Sequence, residues 1–507
     1  MTDFKMKACM IDISRFRVPK FERMKKMLKK ISDSGYDTVF FNIEHTFKLP
    51  EHPRIGIEAD GYDMNEFKKL SSYAQKLNIS LVPLIQSFGH MFHILKWDEY
   101  SYLAESDMKW SVSVSDQTYI LIDDLYRRAA ESFNSEYIHI GGDEVYDMAS
   151  GKSKHLLEFI SKDDLFLTHI LNLKNLAAKY GKKIVLWGDM IDKNPEVLKK
   201  LGKDIIVCYW NYDFKDMPDS YKNIDAKILV CPGTNTWKSF FPRYDYALRN
   251  FKLMKKRADE LDAFGFMITD WGDAGHVHPL SFTENLFDIA FRIFIGEDIN
   301  KYDASPEINE LITLLDEVHF ADYLNCDCVR NKPEYITKLL FHDSPFTGRG
   351  YSLQTEEHLE LLLSKIEKVK AAMARTNFKT EFGRDIKLFA QQTILFGDKI
   401  KLHLKLRKEC AHEEVRKSSE DFIIGLRKWF AAYMKNWLST SQPMGLYFHI
   451  HFMKKIETDI IKGLKLYADS DYSNIPKKNL YDDAEFLNLF SVGSADALKT
   501  LWDKYLL

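Results

Sequence analysis

The sequence predicts a (β/α)8 (TIM) barrel followed by an all-α C-terminal domain. Three observations favour this fold class. The first 300 residues alternate short apolar runs with amphipathic helical stretches, which is typical of repeated βα units around a parallel sheet. Eight such runs can be placed, the number of strands that closes a barrel. After residue 300 the strand pattern stops and only helical periodicity remains, so we expect a catalytic barrel at 1–300 and a helical domain at 301–507.

The eight predicted strands are short runs rich in Val, Ile, Leu and Phe. In chain order they lie at 7–13, 37–43, 79–86, 137–142, 183–188, 205–210, 226–231 and 264–270. Amphipathic helices are predicted between them, for example at 20–33 and at 164–180, the latter ending at Gly181. An open doubly wound sheet is the alternative. The number of strands and the absence of a phosphate-loop glycine motif disfavour it.

The C-terminal domain is predicted from apolar stripes at helical spacing. The predicted helices lie at 356–375, 382–406, 419–438 and 448–467. Ser418–Asp421 resembles a capping box at the start of the third of these helices. That helix carries an aromatic stripe, which we interpret as a packing surface and not as a ligand site.

Composition argues against several classes of function. The 507 residues carry a net charge of −3, so no basic field favours nucleic acid or an acidic membrane surface. No run of 18 apolar residues indicates a transmembrane helix. The N-terminus lacks the apolar segment of a signal peptide, so we expect a soluble, cytoplasmic protein. Of the six cysteines, Cys326 and Cys328 have no second pair for a zinc site, and several others fall in strand-like apolar runs as reduced core residues.

The most informative stretch of the sequence is Tyr137–Val145, which reads Tyr-Ile-His-Ile-Gly-Gly-Asp-Glu-Val. Two glycines end a short buried strand, and Asp143 and Glu144 follow at its carboxyl end, where parallel α/β barrels place their chemistry. Adjacent acids repel each other, so we expect Asp143 to raise the pKa of Glu144 and keep it protonated as a general acid. Because neighbouring side chains of a strand diverge, the two acids can reach different parts of one ligand.

Polar and aromatic residues also follow the other predicted strands, and in a barrel these positions meet at one cleft. Four consecutive strands bring a tryptophan to this rim, which resembles an aromatic box around an apolar group. The candidate binding residues are Arg15, His90, Trp187, Asp189, Trp210, Tyr212, Trp237, Trp271 and Asp273.

This set of residues resembles the active-site residues of glycoside hydrolase family 20, the β-N-acetylhexosaminidases. The runs at 42–47 and 84–90 look closest to the compact branch of that family, which includes bacterial N-acetylglucosaminidases and hexosaminidase D. Asp12-x-Ser-Arg15 and Gly89-His90 look like the family's motifs after strands 1 and 3. Trp187, Trp210 and Trp271 match its pocket tryptophans. Two features differ. Strand 1 starts without a preceding α/β domain, and Asn235-Thr-Trp237 stands where many members carry the Tyr-x-Asp that holds the acetamido group. Tyr212 or Tyr209 is the candidate replacement.

The resemblance implies a retaining exo-β-N-acetylhexosaminidase that acts by substrate assistance. Glu144 would be the general acid and base, Asp143 would orient the acetamido group, and Arg15 and Asp273 would bind sugar hydroxyls. No cofactor or metal is implied. The implied partner is a small-molecule, oligosaccharide or glycoconjugate substrate with a terminal N-acetylhexosamine. Both GlcNAc and GalNAc remain open as the terminal sugar. The resemblance is also compatible with a homodimer.

Two alternative functions remain open from the sequence. One is a catalytically inactive carbohydrate-binding barrel, since a fold does not by itself imply a function. The other is a metal-dependent barrel hydrolase with His139, Asp143 and Glu144 as ligands, which a chelator would inhibit. Its residues lack the spacing of known zinc motifs.

Overall fold

The computed structural model describes residues 3–469, except 59, 193–194, 274, 303–304, 320–338 and 342. Neighbouring strands of its main sheet are parallel, and the first pairs with the last to close a barrel. The strands are β1 (Met6–Asp12), β2 (Thr38–Asn42), β3 (Ser80–Leu84), β4 (Tyr137–His139), β5 (Lys183–Trp187), β6 (Ile206–Trp210), β7 (Lys227–Cys231) and β8 (Gly265–Asp270). The predicted (β/α)8 class is therefore confirmed, and the strand order excludes the open sheet.

Amphipathic helices surround the barrel. They are α1 (Phe21–Ser34), α2 (Met64–Lys76), α3 (Asp116–Ser132), α4 (Lys162–Lys179), α5 (Pro195–Leu201), α6 (Tyr244–Glu260) and α7 (Leu280–Phe294). Local sequence explains several of their ends: the Ser161 side chain caps the first turn of α4, and Gly181 just beyond that helix has φ +68°. The connections between strands and helices contain short helical turns, at Phe92–Leu95, Asp98–Ser101, Lys152–Glu158 and Asp219–Asn223, and two short strands, Phe47–Lys48 and Tyr62–Asp63.

Inward-facing side chains of alternate strand positions fill the barrel. Met10, Phe40, Val185 and Met267 belong to this inner core, and Trp187 closes it toward the carboxyl ends of the strands. A second, larger core lies between the sheet and the surrounding helices. The barrel interior is thus a packed core, and open space is left only at its carboxyl end.

Strand β4 is shorter than predicted. It ends at His139, whereas the sequence pattern extended it to residue 142. Gly141 and Gly142 have φ values of +71° and +87°, in the left-handed region that glycine favours, so the backbone leaves the sheet before the two acids. A Cβ on Gly141 would lie 1.8 Å from the Gln86 side-chain oxygen, so Gln86 would have to move, and the positive φ would strain any residue other than glycine there.

The C-terminal region is helical, as predicted. It contains α8 (Pro306–His319), α9 (Glu356–Arg375), α10 (Glu381–Arg407), α11 (His412–Thr440) and α12 (Leu446–Asp469), with a short turn of helix at Arg349–Ser352. The predicted capping box is wrong, because α11 begins at His412 and Ser418–Asp421 lie inside it. The Ser419 hydroxyl donates instead to the Val415 carbonyl one turn earlier, at 2.9 Å.

The C-terminal helices pack against the loop that follows β8. The Tyr433 hydroxyl donates to the Val277 carbonyl at 2.9 Å, and the Arg17 guanidinium donates to the Ser441 hydroxyl at 3.0 Å. Arg17 also stacks over the Trp437 ring at 4.3 Å, a cation–π contact. The helices therefore support one wall of the open end of the barrel. The division into domains at 300/301 falls between α7 and α8 and stays a prediction.

Among the described residues, no helix is both apolar and long enough to cross a membrane. Cys9, Cys208 and Cys231 are buried free thiols. The Cys326 and Cys328 pair, for which the sequence predicts no zinc site, lies outside the described residues.

Candidate active site

A cavity of about 210 Å³, open to solvent, lies at the carboxyl end of the barrel. Its walls come from the segments after β1 and β3–β8 and consist of Arg15, His90, Asp143, Glu144, Trp187, Trp210, Tyr212, Asp213, Asn235, Trp237, Arg243, Tyr246, Trp271 and Asp273. Ten of the eleven residues predicted from the sequence therefore line one cavity.

The two adjacent acids diverge because of the loop that carries them. The sequence-based explanation, alternation along a strand, is wrong, because β4 ends before them. Glu144 has φ +47°, an uncommon value for a residue with a side chain. The backbone around it is held at both polar groups: the Asp189 carboxylate accepts the Glu144 N–H at 3.0 Å, and the Trp110 indole N–H donates to the Glu144 carbonyl at 2.8 Å. This strained backbone directs the Glu144 side chain into the cavity. Backbone strain of this kind is usually found at functional sites.

His90 lies between the two acids. Its Nε2 is 3.2 Å from Asp143 Oδ2 and 3.5 Å from Glu144 Oε2. Burial alone would lower the pKa of His90, but the charges and hydrogen bonds of Asp143 and Glu144 raise it well above its usual value. The imidazolium form of His90 thus joins the acids into one charged network.

The prediction that Glu144 has a raised pKa is wrong for the unliganded pocket. Burial raises the pKa of its carboxyl, but hydrogen bonds from His90 and Tyr146 and the charges of His90 and Arg15 outweigh burial and lower that pKa below its usual value. The sequence pattern showed the neighbouring acid and not the cation that folding inserts between the two.

One buried oxygen of the acid pair has no hydrogen-bond partner among the described residues. Asp143 Oδ1 is buried from water and makes no hydrogen bond to any described residue. A buried acceptor without a donor is costly, so this oxygen is available for a ligand N–H or O–H. Asp143 therefore presents one oxygen to His90 and the other to the cavity.

Arg15 is held by a buried ion pair. Its Nη1 lies 2.5 Å from Glu44 Oε2, and both side chains are nearly inaccessible. Its Nε faces Asp273 Oδ1 at 3.8 Å, across the cavity wall. Burial would lower the pKa of Arg15, but Glu44, Asp12 and Asp273 raise it, so the guanidinium stays charged. Glu44 is the partner that sequence reasoning did not assign, although it was visible at the end of strand 2.

Aromatic rings form one side of the cavity. Trp187 and Trp271 lie 5.6 Å apart with their ring planes tilted by 45°, and Trp210 stacks on Tyr212 at 5.3 Å. Tyr212 also contacts Trp237 at 5.2 Å. The Trp187 indole N–H is buried and has no hydrogen-bond partner among the described residues. The aromatic side of the cavity therefore presents apolar ring faces, and the Trp187 N–H is an unused hydrogen-bond donor beside them.

Three predicted residues lie elsewhere or play a different part. Asp189 does not line the cavity; it supports the Glu144 backbone from behind. Tyr209 is buried against Tyr221, away from the cavity, which removes it as a candidate for the missing acetamido-binding tyrosine. His139 lies inside the barrel with its ring 4.6 Å from Trp187.

The tautomer of His139 argues against its role as a metal ligand. Its Nδ1 accepts the Gly141 N–H at 3.1 Å, so the proton of the neutral ring is on Nε2. Burial lowers the pKa of His139 to about 3, which keeps the ring neutral. Neither ring nitrogen then offers a free lone pair to an ion beside Asp143 and Glu144.

Sequence reasoning did not assign a role to four of the lining residues. Arg243 and Tyr246 come from the start of α6, Asp213 follows Tyr212, and Asn235 was noted only as part of a divergent motif. No local pattern separates Arg243 or Tyr246 from ordinary surface residues of an amphipathic helix. Their approach to the cavity depends on the path of the long β7–α6 connection.

We expect Asp189→Asn to flatten the pH dependence of stability. Burial, followed by the charge of Asp143, raises the pKa of Asp189 to about 7, above its value of about 4 in an unfolded chain. The folded state therefore holds an extra proton between these two values, and stability falls as pH rises through that window. Asparagine still accepts the Glu144 N–H but cannot ionise. Urea unfolding at pH 4.5 to 7.5 should show that the free energy of unfolding falls less steeply with pH in the variant than in the wild type. An unchanged slope would contradict a protonated Asp189.

The cavity can be compared with known proteins. Residues 4–240 match the family model described as glycosyl hydrolase family 20, catalytic domain. The beta-hexosaminidase subunit beta of Entamoeba histolytica is 27% identical over 173 residues, 28% of this chain and 28% of that protein. Hexosaminidase D of Bos taurus is 26% identical over 171 residues, 32% of this chain and 49% of that protein. A solved beta-N-acetylhexosaminidase structure from Bacteroides fragilis has a TM-score of 0.45 and 22% identity, covering 57% of this chain and 65% of that one.

The matched segments span less than half the length of these two curated relatives. The family match extends from β1 through β7 and includes Arg15, His90 and both acids of the cavity, and it ends before Trp271 and Asp273. It thus covers the part of the barrel in which the sequence motifs and the cavity coincide, and over this part the chain is similar to the catalytic domain of glycosyl hydrolase family 20.

Proposed function

We propose that this protein is a retaining exo-β-N-acetylhexosaminidase that hydrolyses terminal, non-reducing β-GlcNAc or β-GalNAc with the help of the substrate's own acetamido group. The observation that carries the proposal is the divergence of the adjacent acids. Asp143 Oδ1 is an unused buried acceptor, while the neighbouring Glu144 carboxyl is about one-third exposed at the cavity wall. One acid can therefore bind the acetamido N–H while the other reaches the leaving oxygen.

In the first step, the acetamido oxygen attacks the anomeric carbon and the glycosidic C–O bond breaks. Glu144 gives its proton to the departing oxygen, and the sugar becomes a cyclic oxazolinium ion. Asp143 accepts a hydrogen bond from the acetamido N–H and stabilises the positive charge that develops there. In the second step, Glu144 takes a proton from water, which attacks the anomeric carbon from the side the aglycone left, so configuration is retained.

Glu144 must be protonated when the aglycone leaves, although its pKa is lowered in the unliganded pocket. We expect bound sugar to raise the pKa of Glu144 because it excludes water and increases the cost of burying a second charge near Asp143. His90, at 3.5 Å from Glu144 Oε2, is the adjacent group that can hold the proton until then.

The remaining cavity residues would bind the sugar ring. Arg15 and Asp273 provide a donor and an acceptor for hydroxyl groups of the sugar. Trp187, Trp210 and Trp271 offer apolar faces to the acetamido methyl group and to the C–H face of the pyranose. Exclusion of water by these rings would protect the oxazolinium ion.

Tyr212 is our candidate for the residue that holds the acetamido oxygen. Its hydroxyl accepts a hydrogen bond from the Trp271 indole N–H at 2.8 Å, and it lies 3.0 Å from the Thr269 hydroxyl, whose single proton is also within reach of the Pro232 carbonyl at 3.0 Å. The indole N–H orients the Tyr212 oxygen, and the Tyr212 proton can turn from Thr269 to a bound acetamido oxygen. Burial raises the pKa of Tyr212, so the hydroxyl keeps that proton.

Release of 4-nitrophenol from its β-GlcNAc, β-GalNAc and β-glucose glycosides tests the function. We expect hydrolysis of the two acetamido sugars only, because glucose has no group to attack the anomeric carbon. The ratio of the two rates establishes the sugar preference. In Tyr212→Phe, kcat should fall more than binding weakens, since the attacking oxygen loses its positioning donor.

Each other outcome favours a different function. Equal hydrolysis of the glucoside would contradict substrate assistance. Binding of N-acetylglucosamine without any hydrolysis would indicate the carbohydrate-binding alternative. Immediate and complete inhibition by a chelator would indicate the metal-dependent hydrolase.

Two further properties belong to the proposal. We expect a cytoplasmic protein, in line with the buried free thiols of Cys9, Cys208 and Cys231, which fractionation of the source cells would test. The sequence leaves a homodimer open, which sedimentation at several concentrations would test.

A further inference from the structure

Tyr146 is an exposed aromatic residue on the segment that carries the two acids, and the reaction described above gives it no contact with the substrate. It is 58% exposed, whereas Val145 and Asp147 on either side of it are buried, at 3% each. A single ring thus projects from a packed segment. Because an exposed ring forgoes the free energy that its burial would supply, a ring held in this way beside Glu144 is a candidate contact for a ligand.

Trp110 supports the Tyr146 ring from one side. The two rings stack with their centres 6.1 Å apart and their planes tilted by 27°, and Trp110 is itself buried. Trp110 also donates its indole N–H to the Glu144 carbonyl at 2.8 Å, and its ring lies 4.4 Å from the His90 ring. One face of Tyr146 is therefore covered by the same residue that holds the acid in place. The large exposed fraction of Tyr146 comes from the opposite face and the edge of its ring.

The chain turns after Glu144 and brings Tyr146 back toward the acid. The Tyr146 N–H donates to the Glu144 carbonyl, two residues earlier, at 2.8 Å. Burial of the Tyr146 hydroxyl and its hydrogen bond to the Glu144 carboxylate both raise the pKa of Tyr146, so the hydroxyl keeps its proton and donates. The Tyr146 side chain is thus a direct neighbour of the group that would protonate the leaving oxygen.

The proposed reaction requires the aglycone to lie on this side of the cavity. Glu144 gives its proton to the oxygen that joins the terminal sugar to the aglycone, so the aglycone begins beside the Glu144 carboxyl. That carboxyl is about one-third exposed, and Tyr146 is not among the residues that line the cavity in the described part of the chain. A group on the leaving oxygen would therefore leave the cavity past Glu144, where the open face of Tyr146 lies.

We propose that the open face of Tyr146 binds the aglycone, an inference that rests on the proposed hydrolase function. A ring that is supported from behind and held by its hydroxyl offers a flat, rigid surface at little cost in conformational entropy. Such a surface favours leaving groups with a flat apolar face, namely a second pyranose or an aryl ring. A small alkyl group covers little of the ring and gains little from it, so Tyr146 would determine specificity for the aglycone.

Tyr246 is the alternative contact for the aglycone. It lines the cavity and packs edge-on against Phe214 with the ring centres 4.6 Å apart. The Arg243 guanidinium lies 6.0 Å from its ring. These neighbours place Tyr246 at the start of α6, and Tyr146 is favoured over it by the direct contact with Glu144.

Sugar binding by the full chain tests the contact without turnover. Isothermal titration calorimetry on Glu144→Gln, in which hydrolysis is slowed, would compare methyl β-N-acetylglucosaminide with N,N′-diacetylchitobiose. The two ligands share the terminal sugar and differ in the aglycone, which is a methyl group in one and a second pyranose in the other. We expect the disaccharide to bind about 2- to 10-fold more tightly, the usual contribution of one aromatic contact.

Three further substitutions in the same background assign this preference to a side chain. Tyr146→Ala should remove most of it and change the affinity for the methyl glycoside much less. Tyr146→Phe keeps the ring and should retain the preference. Phe159→Ala is the matched control, since it removes an aromatic residue that is 80% exposed in the same β4–α4 connection, and it should also retain the preference.

Kinetics with the two substrates give the same contrast. In Tyr146→Ala, kcat/KM for the disaccharide should fall about 2- to 10-fold more than kcat/KM for the methyl glycoside. Both leaving groups are alcohols that need protonation, so the loss of the Tyr146 hydroxyl from Glu144 affects both rates and the ratio reports the contact with the aglycone.

The outcomes separate this proposal from the hydrolase function on which it rests. Equal affinity of the two ligands, in a protein whose wild type hydrolyses 4-nitrophenyl glycosides, would overturn the proposal and leave the function standing. A preference that is lost in Tyr246→Ala and kept in Tyr146→Ala would refute the assignment to Tyr146. A preference that Tyr146→Ala abolishes, in a protein whose wild type hydrolyses none of the glycosides, would support the contact and contradict the hydrolase function.

Discussion

Glu144→Gln should lower kcat/KM for 4-nitrophenyl β-N-acetylglucosaminide by about 10²–10⁴-fold, the usual contribution of a general acid and base. Glutamine fills the same space but can neither donate a proton to the leaving oxygen nor take one from water. The fold should survive, because the Glu144 carboxyl is partly exposed and its ion-pair contact among the described residues is with His90. Steady-state kinetics, with Tm as the folding check, measure the effect.

The nature of the leaving group gives an internal control for this variant. A dinitrophenyl leaving group needs little protonation, so the loss in the first step should be much smaller with that substrate. Equal losses with both substrates would show that Glu144 does not act as the acid. Unchanged kinetics with both would contradict the assignment of Glu144 altogether and shift attention to Asp213, another acid that lines the cavity.

Arg15→Met should destabilise the protein by about 3–5 kcal/mol, since it leaves the Glu44 carboxylate buried without its partner. The pair is close, at 2.5 Å, and both side chains are nearly inaccessible. The same variant should lose sugar binding, because Arg15 is the cation that lines the cavity beside Asp273. Urea unfolding and the KM for the acetamido glycoside measure the two effects separately.

The double variant Arg15→Met/Glu44→Gln separates stability from binding. Removal of both charges should restore most of the lost free energy of unfolding, because replacing a whole buried ion pair is often nearly neutral. Activity should remain low, since the sugar still lacks its donor. Recovery of both stability and activity would show that Arg15 does not contact substrate, and no recovery of stability would show that the Arg15–Glu44 pair is not the origin of the loss.

Much of the site could be predicted because strand ends in a closed barrel converge on one cleft. Each motif was local: a glycine pair before Asp143, a tryptophan at the end of a strand, or a histidine after Gly89. Barrel topology alone then brings Arg15 and Asp273, 258 positions apart in the numbering, to within 3.8 Å of each other. No detailed packing was needed for that inference.

Other features depended on packing that no local pattern contains. The pKa of Glu144 is lowered because folding places His90 against it, although the sequence places Asp143 nearest. Asp189 supports Glu144 from behind the cavity because the ends of β4 and β5 are adjacent, and Arg243 and Tyr246 reach the cavity through a long connection. The capping box at Ser418 failed because α11 extends through it.

The order of residues along the chain thus determined the barrel, the helical C-terminal region and the acids at the end of β4, since periodicity and glycine placement are local properties. Only the tertiary structure decided the direction of the Glu144 pKa shift and the partner of Arg15. Charge and hydrogen bonding act through space over a few ångströms, and in a buried site their strength depends on which groups the fold removes from water.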